Sequence, residues 1–265
     1  MSKELNSFAG KRALITGASS GLGVEFAELL AARKVNLVLA ARRQEPMEKL
    51  ASDLRRQYGV DVLVEAIDLA LPGAAGRLKS SLDARSVTID ILLNNAGYGL
   101  QGDFLETPVE RTVNMIQLNI TTLTELTYLF GRDMAMRRSG HILLVSSVLA
   151  FQAVPSYAAY AATKAYVLAF GEALHDELGP HGVVVTTLSP GHTATGFDAA
   201  AGATSSPFLR LITMKPRSVA ASGIHALLQG KAMVVAGISS KMAAFSNRLT
   251  PRSMQRTTMR RIVGS

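Results

Sequence analysis

The stretch Thr16-Gly17-Ala18-Ser19-Ser20-Gly21-Leu22-Gly23 decides the fold of this 265-residue chain, because an apolar run precedes it and an amphipathic helical pattern follows it. Glycines allow the backbone to turn sharply and to approach a pyrophosphate, and the start of a helix supplies N–H donors and a positive dipole. An ordinary strand-to-helix turn is the alternative interpretation of the spacing taken alone. The predicted phosphate-binding residues are Gly17, Ser19, Ser20, Gly21, Leu22 and Gly23.

Short apolar runs alternate with helical patterns along the whole chain. Most runs are nearly continuous in Val, Ile and Leu, which is typical of parallel strands covered on both faces. The alternation predicts an α/β fold, a single-domain, doubly wound parallel sheet. With a phosphate-binding turn after the first strand, we expect a Rossmann-type sheet of about seven strands in the order 3-2-1-4-5-6-7. The predicted strands are 12–16, 36–40, 62–66, 89–93, 141–146, 183–188 and 233–236, and the predicted helices are 21–33, 46–58, 74–82, 109–138, 157–178 and 218–228.

The composition excludes several classes of protein. Hydrophobic residues make up 48% of the chain and charged residues 18%, which allows a sizeable core and argues against global disorder. The absence of cysteine excludes disulfides, thiolate catalysis and cysteine-ligated metal centres. The five histidines are scattered, with no carboxylate cluster at ligand spacing, so we expect no metal site. We find neither a secretory signal nor a membrane-spanning run and expect a cytoplasmic protein.

The basic character is confined to the C-terminal quarter. The net charge is +8, but residues 1–198 contain 18 basic and 20 acidic residues, and the ten basic residues that follow Asp198 have no acidic neighbour in the sequence. This patch lacks interleaved aromatic residues and any recognisable binding motif, so we expect no nucleic-acid partner.

The end of the second predicted strand indicates the cofactor. It continues into Arg42 and Arg43 and contains no acidic residue. In folds that prefer NAD, a carboxylate at this place bonds the ribose 2′-hydroxyl, whereas a guanidinium group suits a 2′-phosphate. The sequence therefore favours NADP(H). The alternative is that Arg42 and Arg43 end a strand in solvent.

Tyr160 and Lys164 share one face of a predicted helix at i, i+4 spacing. A phenol titrates near 10, so a pKa near 7 requires about 4 kcal/mol of preferential phenolate stabilisation. A neighbouring ammonium and an oxidised nicotinamide are cations that can supply it. Neither Tyr157 nor Tyr166 has a lysine four residues later. Taken alone, this spacing also arises by chance.

Together, these motifs give the sequence a specific pattern across residues of about 10–237, and in this order and spacing the chain resembles the short-chain dehydrogenase/reductase family. Ser147 follows a strand, thirteen residues before Tyr160, and Asn119 is an amide in a helical pattern. The residues that carry the resemblance are those of the glycine turn, Asp68, Asn94 to Gly97, Asn119, Ser147, Tyr160, Lys164, Pro190, Gly191 and Thr195.

The resemblance implies four catalytic roles. Tyr160 would protonate the carbonyl oxygen during reduction, and Ser147 would hold that oxygen by a hydrogen bond. Lys164 would bind the nicotinamide ribose and lower the pKa of Tyr160, and Asn119 would anchor a water in a proton relay.

The resemblance also implies how NADP(H) is held. Asp68 would bond the adenine amino group, and Arg42 stands where members that prefer NADP carry a basic residue. The cofactor-binding residues implied in addition to the glycine turn are Arg42, Arg43, Asp68, Leu69, Asn95, Ala96, Gly97, Tyr160, Lys164, Pro190, Gly191, Thr193 and Thr195.

We therefore expect an NADPH-dependent carbonyl reductase or alcohol dehydrogenase. An epimerase or dehydratase on the same fold, or a non-catalytic NADP-sensing protein, are the alternatives. Residues 1–237 would form the catalytic domain and 193–215 a substrate lid. An apolar lid suits an apolar ketone or aldehyde, unless its side chains pack on the core or on a neighbouring subunit. The apolar lid residues are Phe197, Phe208, Leu209, Leu211, Ile212 and Met214.

The basic tail, 238–265, mixes basic and apolar residues at partly helical spacing. It could contact a membrane as a peripheral helix, dock an acidic carrier protein, fold over a neighbouring subunit or remain in solvent. The resemblance implies a homo-oligomer, a dimer or tetramer, formed through the two long helices.

Overall fold

A parallel sheet of seven strands forms the centre of the computed structural model, which describes residues 8–194 and 213–263. The strands lie in the order β3-β2-β1-β4-β5-β6-β7, so the predicted single-domain Rossmann-type fold is confirmed. Their bounds are β1 Arg12–Thr16, β2 Asn36–Ala41, β3 Val62–Ala66, β4 Ile91–Asn94, β5 Gly140–Val145, β6 Val183–Ser189 and β7 Met233–Val235.

Helices cover both faces of the sheet, because alternate side chains of each strand point to opposite sides. On β2, Leu37 and Leu39 pack with the helices of one face, and Val38 and Ala40 pack with those of the other. The helices are α1 Leu22–Ala31, α2 Gln44–Tyr58, α3 Ala74–Ala84, α4 Val109–Ile116, α5 Leu123–Met136, α6 Ala158–Leu178, α7 Pro216–Leu228, α8 Ile238–Leu249 and α9 Arg252–Val263.

The predicted helix 109–138 is wrong in one respect, because the segment is helical but not α-helical throughout. A π-helical turn, Gln117–Thr122, separates α4 from α5. Such a turn inserts one residue into an α-helix and is frequent at functional sites. The apolar periodicity that predicted one long helix does not reveal this insertion. The other elements differ from the prediction by a few residues at their ends, where hydrophobic patterns are least informative.

The sheet order creates one place for a ligand. Chain connections run in opposite directions from β1 and β4, and ligands of doubly wound sheets bind outside the carboxyl ends of the strands at this switch point. Thr16 ends β1 and Asn94 ends β4, while Ser146 and Ser147 directly follow β5. Residues far apart in sequence therefore meet along one edge.

The predicted tail contains helices α8 and α9. Within 8–194 and 213–263, none of the helices combines the length and the apolar character that crossing a bilayer requires. The division of the chain at residue 237 stays a prediction.

Candidate active site

The turn between β1 and α1 requires glycine at three positions. Gly17 and Gly21 have φ angles of +70° and +56°, which L-residues rarely adopt. A Cβ on Gly23 would lie 2.8 Å from the Cα of Ala18, so Gly23 packs beneath the turn. Gly17, Ser19, Ser20, Gly21 and Leu22 line a cavity of about 820 Å³. The turn thus presents its backbone to a ligand, as a phosphate site requires.

Asn95 fixes the ends of β1 and β4 to each other. Its Nδ2 donates to the carbonyl of Thr16 at 2.8 Å, and the Thr16 hydroxyl accepts from the N–H groups of Asn95 and Ala96 at 3.0 and 2.9 Å. Asn95, Ala96 and Gly97 line the same cavity. The side-chain amide of Asn95 therefore holds in place the backbone that forms this side of the cavity.

A cationic edge lies beside the turn. Arg42 and Arg43 are exposed and line the cavity, and Nη2 of Arg43 donates to the carbonyl and hydroxyl of Ser19, both at 3.2 Å. Asp68 and Leu69 line the cavity as well; the Asp68 carboxylate accepts from the N–H of Ala70 at 3.0 Å. The sequence-predicted residues for the adenosine half of a dinucleotide are thus adjacent.

Tyr160 and Lys164 project from α6 into the cavity, with 6% and 5% of their surfaces exposed. Nζ of Lys164 donates to the carbonyl of Val145 at 2.8 Å and lies 5.8 Å from the centroid of the Tyr160 ring. Ser147 follows β5, accepts from the N–H of Leu149 at 3.2 Å and hydrogen-bonds the phenol of Tyr160. A hydroxyl, a phenol and an ammonium therefore meet at one place.

Burial dominates the titration of both groups. It raises the pKa of the Tyr160 phenol, and the hydrogen bond from Ser147 opposes this shift. Burial also lowers the pKa of the Lys164 ammonium to about 8, so Lys164 is mainly protonated at neutral pH. The sequence argument required a lowered pKa for Tyr160. The chain's own groups raise this pKa instead, because loss of solvent disfavours the phenolate. A phenol that keeps its proton suits a proton donor.

Asn119 lies in the π turn and is buried. Its Nδ2 donates to the carbonyl of Tyr98 at 3.0 Å and to the hydroxyl of Thr163 at 3.1 Å, and its Oδ1 accepts from the N–H of Tyr98 at 3.2 Å. The amide thus joins the segment after β4 to α6. Its role as a water anchor stays a prediction.

Pro190, Gly191 and Thr193 line the cavity after β6. The Thr193 hydroxyl donates to the carbonyl of Gly191 at 2.8 Å, and the Pro190 carbonyl accepts from the N–H of Val148 at 2.9 Å. Of the six apolar residues predicted for the lid, Met214 is described, and it pairs with Thr193 in an isolated bridge. The remaining predicted residues, Thr195, Phe197, Phe208, Leu209, Leu211 and Ile212, lie outside the described residues.

Sequence reasoning missed the contribution of the tail to the cavity. Gln152, just beyond the short 3-10 helix after Ser147, holds both tail helices: its Nε2 donates to Sδ of Met259 at 2.9 Å, and its Oε1 accepts from the amide of Asn247. His192, in the loop after β6, also lines the cavity. The tail residues that line it are Ser239, Ser240, Ala243, Asn247, Met259 and Ile262.

One pattern in the sequence could have indicated that a face of α8 packs against the protein, namely the spacing of its small and polar residues. Ser240, Ala244 and Asn247 recur at i, i+4 and i+7, and Ser240 and Ala244 are buried. In the described part of the chain, no three His, Asp or Glu side chains are grouped as a metal ion would need.

A cleft at the carboxyl edge of a doubly wound sheet, with a glycine turn opening into it, defines a dinucleotide-binding α/β protein. A family model for short chain dehydrogenases matches residues 11–206. The chain therefore belongs to the short-chain dehydrogenase/reductase family, as the motifs predicted.

Two solved structures share most of this architecture. A short-chain dehydrogenase from Sphingobium yanoikuyae in complex with NADPH superposes with a TM-score of 0.80 and is 31% identical, over 90% of this chain and 93% of that one. The bulky-bulky ketone specific alcohol dehydrogenase from Comamonas testosteroni superposes with a TM-score of 0.76 and is 28% identical, over 90% of this chain and 92% of that one.

Among curated relatives, a very-long-chain 3-oxoacyl-CoA reductase of Phaeosphaeria nodorum is 37% identical over 191 residues, which are 69% of this chain. The chain spans only 55% of the length of that relative.

The packing around Gly97 gives a test of the site's geometry. A Cβ at Gly97 would lie 2.9 Å from Oδ1 of Asn119 and 3.5 Å from Nζ of Lys164, so Gly97→Ala should destabilise the protein by about 1–3 kcal/mol through overpacking. Gly76→Ala, in open space on α3, is the matched control and should be neutral or stabilising. Denaturant unfolding measures both; equal stabilities would contradict this geometry.

Proposed function

We propose that this protein is an NADP-dependent oxidoreductase that reduces a carbonyl group to an alcohol, or catalyses the reverse oxidation. The observation that carries the proposal is the buried Tyr160 phenol, hydrogen-bonded to Ser147 and beside the Lys164 ammonium, in the cavity that the glycine turn also lines. The family and the NADPH complex of the Sphingobium yanoikuyae relative support the same activity and cofactor.

The residues present fit NADP(H). The crowding at Gly17 and Gly23 leaves a backbone surface for the pyrophosphate, and the guanidinium groups of Arg42 and Arg43 provide for a 2′-phosphate. When bound, the nicotinamide supplies or accepts the hydride. Asp68 and Leu69 would hold the adenine, while Asn95, Ala96, Gly97, Pro190, Gly191 and Thr193 would line the rest of the site.

The chain's own groups then handle the carbonyl oxygen and its proton. The Ser147 hydroxyl orients that oxygen, and Tyr160 donates its phenolic proton to it as the alcohol forms. The Lys164 ammonium, held by the Val145 carbonyl, stabilises the phenolate that remains. Lys164 would also bind the ribose, and Asn119 would support the return of a proton to Tyr160.

The substrate we propose is a bulky, apolar ketone or aldehyde. Leu149 and Tyr157 pack in the apolar cluster that contains Tyr160, and both line the cavity. Met259 and Ile262 of α9 line the same cavity. Apolar walls with a few polar groups suit a substrate of this kind. The names of two relatives, the bulky ketone dehydrogenase and the very-long-chain reductase, support this size and polarity.

We also propose a cytoplasmic homo-oligomer, a dimer or tetramer. Val109, Val113 and Ile116 form an exposed apolar stripe on α4, and Tyr128 is exposed on α5. This apolar surface lies on the first of the two predicted interface helices, 109–138, and it supports contact with a second subunit.

Removing the phenolic proton tests the mechanism. Tyr160→Phe should lower kcat by about 100- to 10,000-fold because the acid is lost, while NADPH binding is kept. The measurement is consumption of NADPH with a panel of apolar ketones, alongside a binding titration. Tyr166→Phe, on the outer part of the same helix, is the control and should keep kcat. Near-normal turnover by Tyr160→Phe would reject the assigned acid, and turnover without net NADPH consumption would indicate an epimerase or dehydratase.

Arg42 tests the cofactor preference. Arg42→Ala should weaken NADPH binding by about 10- to 100-fold, because a charge-assisted contact to the 2′-phosphate is lost, and should leave NADH binding nearly unchanged. Dissociation constants for both cofactors provide the comparison, with Lys49→Ala on α2 as an exposed control. Equal losses for the two cofactors would remove the argument from the 2′-phosphate.

Variants of the two apolar α9 residues that line the cavity, here called the α9 wall, test the proposed substrate class. Met259→Ala and Ile262→Ala should each lower kcat/KM for a bulky apolar ketone by about 10- to 100-fold, because a filled apolar contact is lost. A ketone of only a few carbons should be affected much less. Met254→Ala, an exposed position on the same helix, is the matched control. If both ketones lost the same factor, the wall would not select the substrate.

A further inference from the structure

Helix α8 presents its large apolar side chains to the outside of the protein. Ile238, Met242, Phe245 and Leu249 have 79%, 68%, 62% and 77% of their surfaces exposed. Their spacing of four, three and four residues places them in one stripe along the helix. We refer to these four residues as the outer stripe. We propose that the outer stripe docks on an anionic lipid bilayer.

The packing of α8 shows that the fold itself does not require this stripe. The inner face of the helix is built from small residues, among them Ser240 and Ala244, which are buried. Ser240 packs so closely on Gly191 that a Cβ on Gly191 would collide with the Ser240 hydroxyl. A surface helix normally turns its large apolar residues inward. Here they face outward, as in helices that lie in a membrane interface.

The charge of the tail that carries the stripe favours an anionic surface. Residues 238–263 contain six basic and no acidic residues. Arg252, Arg256 and Arg260 recur every fourth residue of α9 and are all exposed, and within the described residues none of the three pairs with a carboxylate. Each cation near an anionic membrane strengthens binding by about five-fold. The tail therefore supplies both the apolar and the electrostatic part of interfacial binding.

The same charges disfavour a second copy of this chain on the stripe. Pairing two tails would bring twelve cations together with no acidic residue from either tail. Like charges that close together repel unless counter-charges neutralise them. An anionic bilayer offers these counter-charges and a continuous apolar layer. The stripe is straight and about 16 Å long, and a bilayer can accept it without a surface of complementary shape.

Docking would also bring the cavity to the membrane. Met259 and Ile262 of α9 and Asn247 of α8 line the cavity, and Gln152 bonds both helices at its edge. An apolar ketone could then enter from the bilayer without crossing water. This last step rests on the proposed function, whereas docking itself does not.

Vesicle co-sedimentation of the full chain tests the proposal. The protein should bind vesicles of phosphatidylcholine mixed with phosphatidylserine, should bind phosphatidylcholine alone far more weakly, and should be released by salt. Arg252→Gln, Arg256→Gln and Arg260→Gln combined should weaken partitioning by about 100-fold. The matched charge control is Lys49→Gln, Arg77→Gln and Arg132→Gln, which removes three exposed cations from other helices and should have little effect.

A second pair of variants tests the outer stripe. Met242→Ser with Phe245→Ser should reduce vesicle binding at least about ten-fold, because both large apolar side chains no longer enter the interface. Leu71→Ser with Leu105→Ser, exposed apolar positions elsewhere, should bind like the unchanged protein. The midpoint of thermal unfolding should be nearly the same in all four variants, which shows that they fold without reference to enzyme activity.

Several results would overturn the proposal. These are equal binding to neutral and anionic vesicles, tail variants that bind as well as the unchanged protein, and no vesicle binding. Light scattering measures the size of the oligomer. If Met242→Ser with Phe245→Ser formed a smaller oligomer and still bound vesicles like the unchanged protein, the stripe would be covered by a second copy of this chain. Binding of an acidic carrier protein in place of vesicles would assign the surface to a protein. Sedimentation needs no turnover, so failure of the proposed enzyme activity is scored separately.

Discussion

The hydrogen bond from the Lys164 ammonium to the Val145 carbonyl organises the cleft. A buried cation is tolerated only where polar groups replace its water, and here the end of β5 provides one. The Ser146 hydroxyl donates to the Lys164 carbonyl at 2.7 Å, so the same turn of α6 is tied to the sheet twice. Tyr160, one helical turn earlier, is thereby held against Ser147. The positions of the phenol and of its neighbours thus follow from how one helix is fastened to one strand.

The parts of this molecule that sequence predicts are those set by short-range patterns. The parallel strands and their covering helices follow from the βα alternation, and the turn from Gly17 to Gly23 follows from its spacing and flanking elements. Tyr160 and Lys164 were recognisable because one helical turn separates them. In each case, the residues that form the feature are neighbours along the chain.

The parts that sequence does not predict depend on distant contacts. The π turn accompanies the bonds of Asn119 to Tyr98 and to Thr163, 21 and 44 residues away. The tail's place at the cavity depends on Gln152, which is 95 residues from Asn247 and 107 from Met259. Hydrophobic periodicity carries no information about such pairs. The direction of the Tyr160 pKa shift likewise depends on burial, which one helix face does not reveal.

The π turn also sets the rotational phase of two helices. Because it contains one residue more than an α-helical turn, side chains after it are offset by about 100° from where a regular helix would carry them. Leu126 and Phe130 of α5 face the core, while Val113 and Ile116 of α4 remain exposed. Loss of a single residue between Gln117 and Thr122 would make α4 and α5 one regular α-helix. Either Asn119 would then swing away from α6, or the apolar side of α5 would leave the core. The length of this short segment is therefore constrained as strictly as its composition.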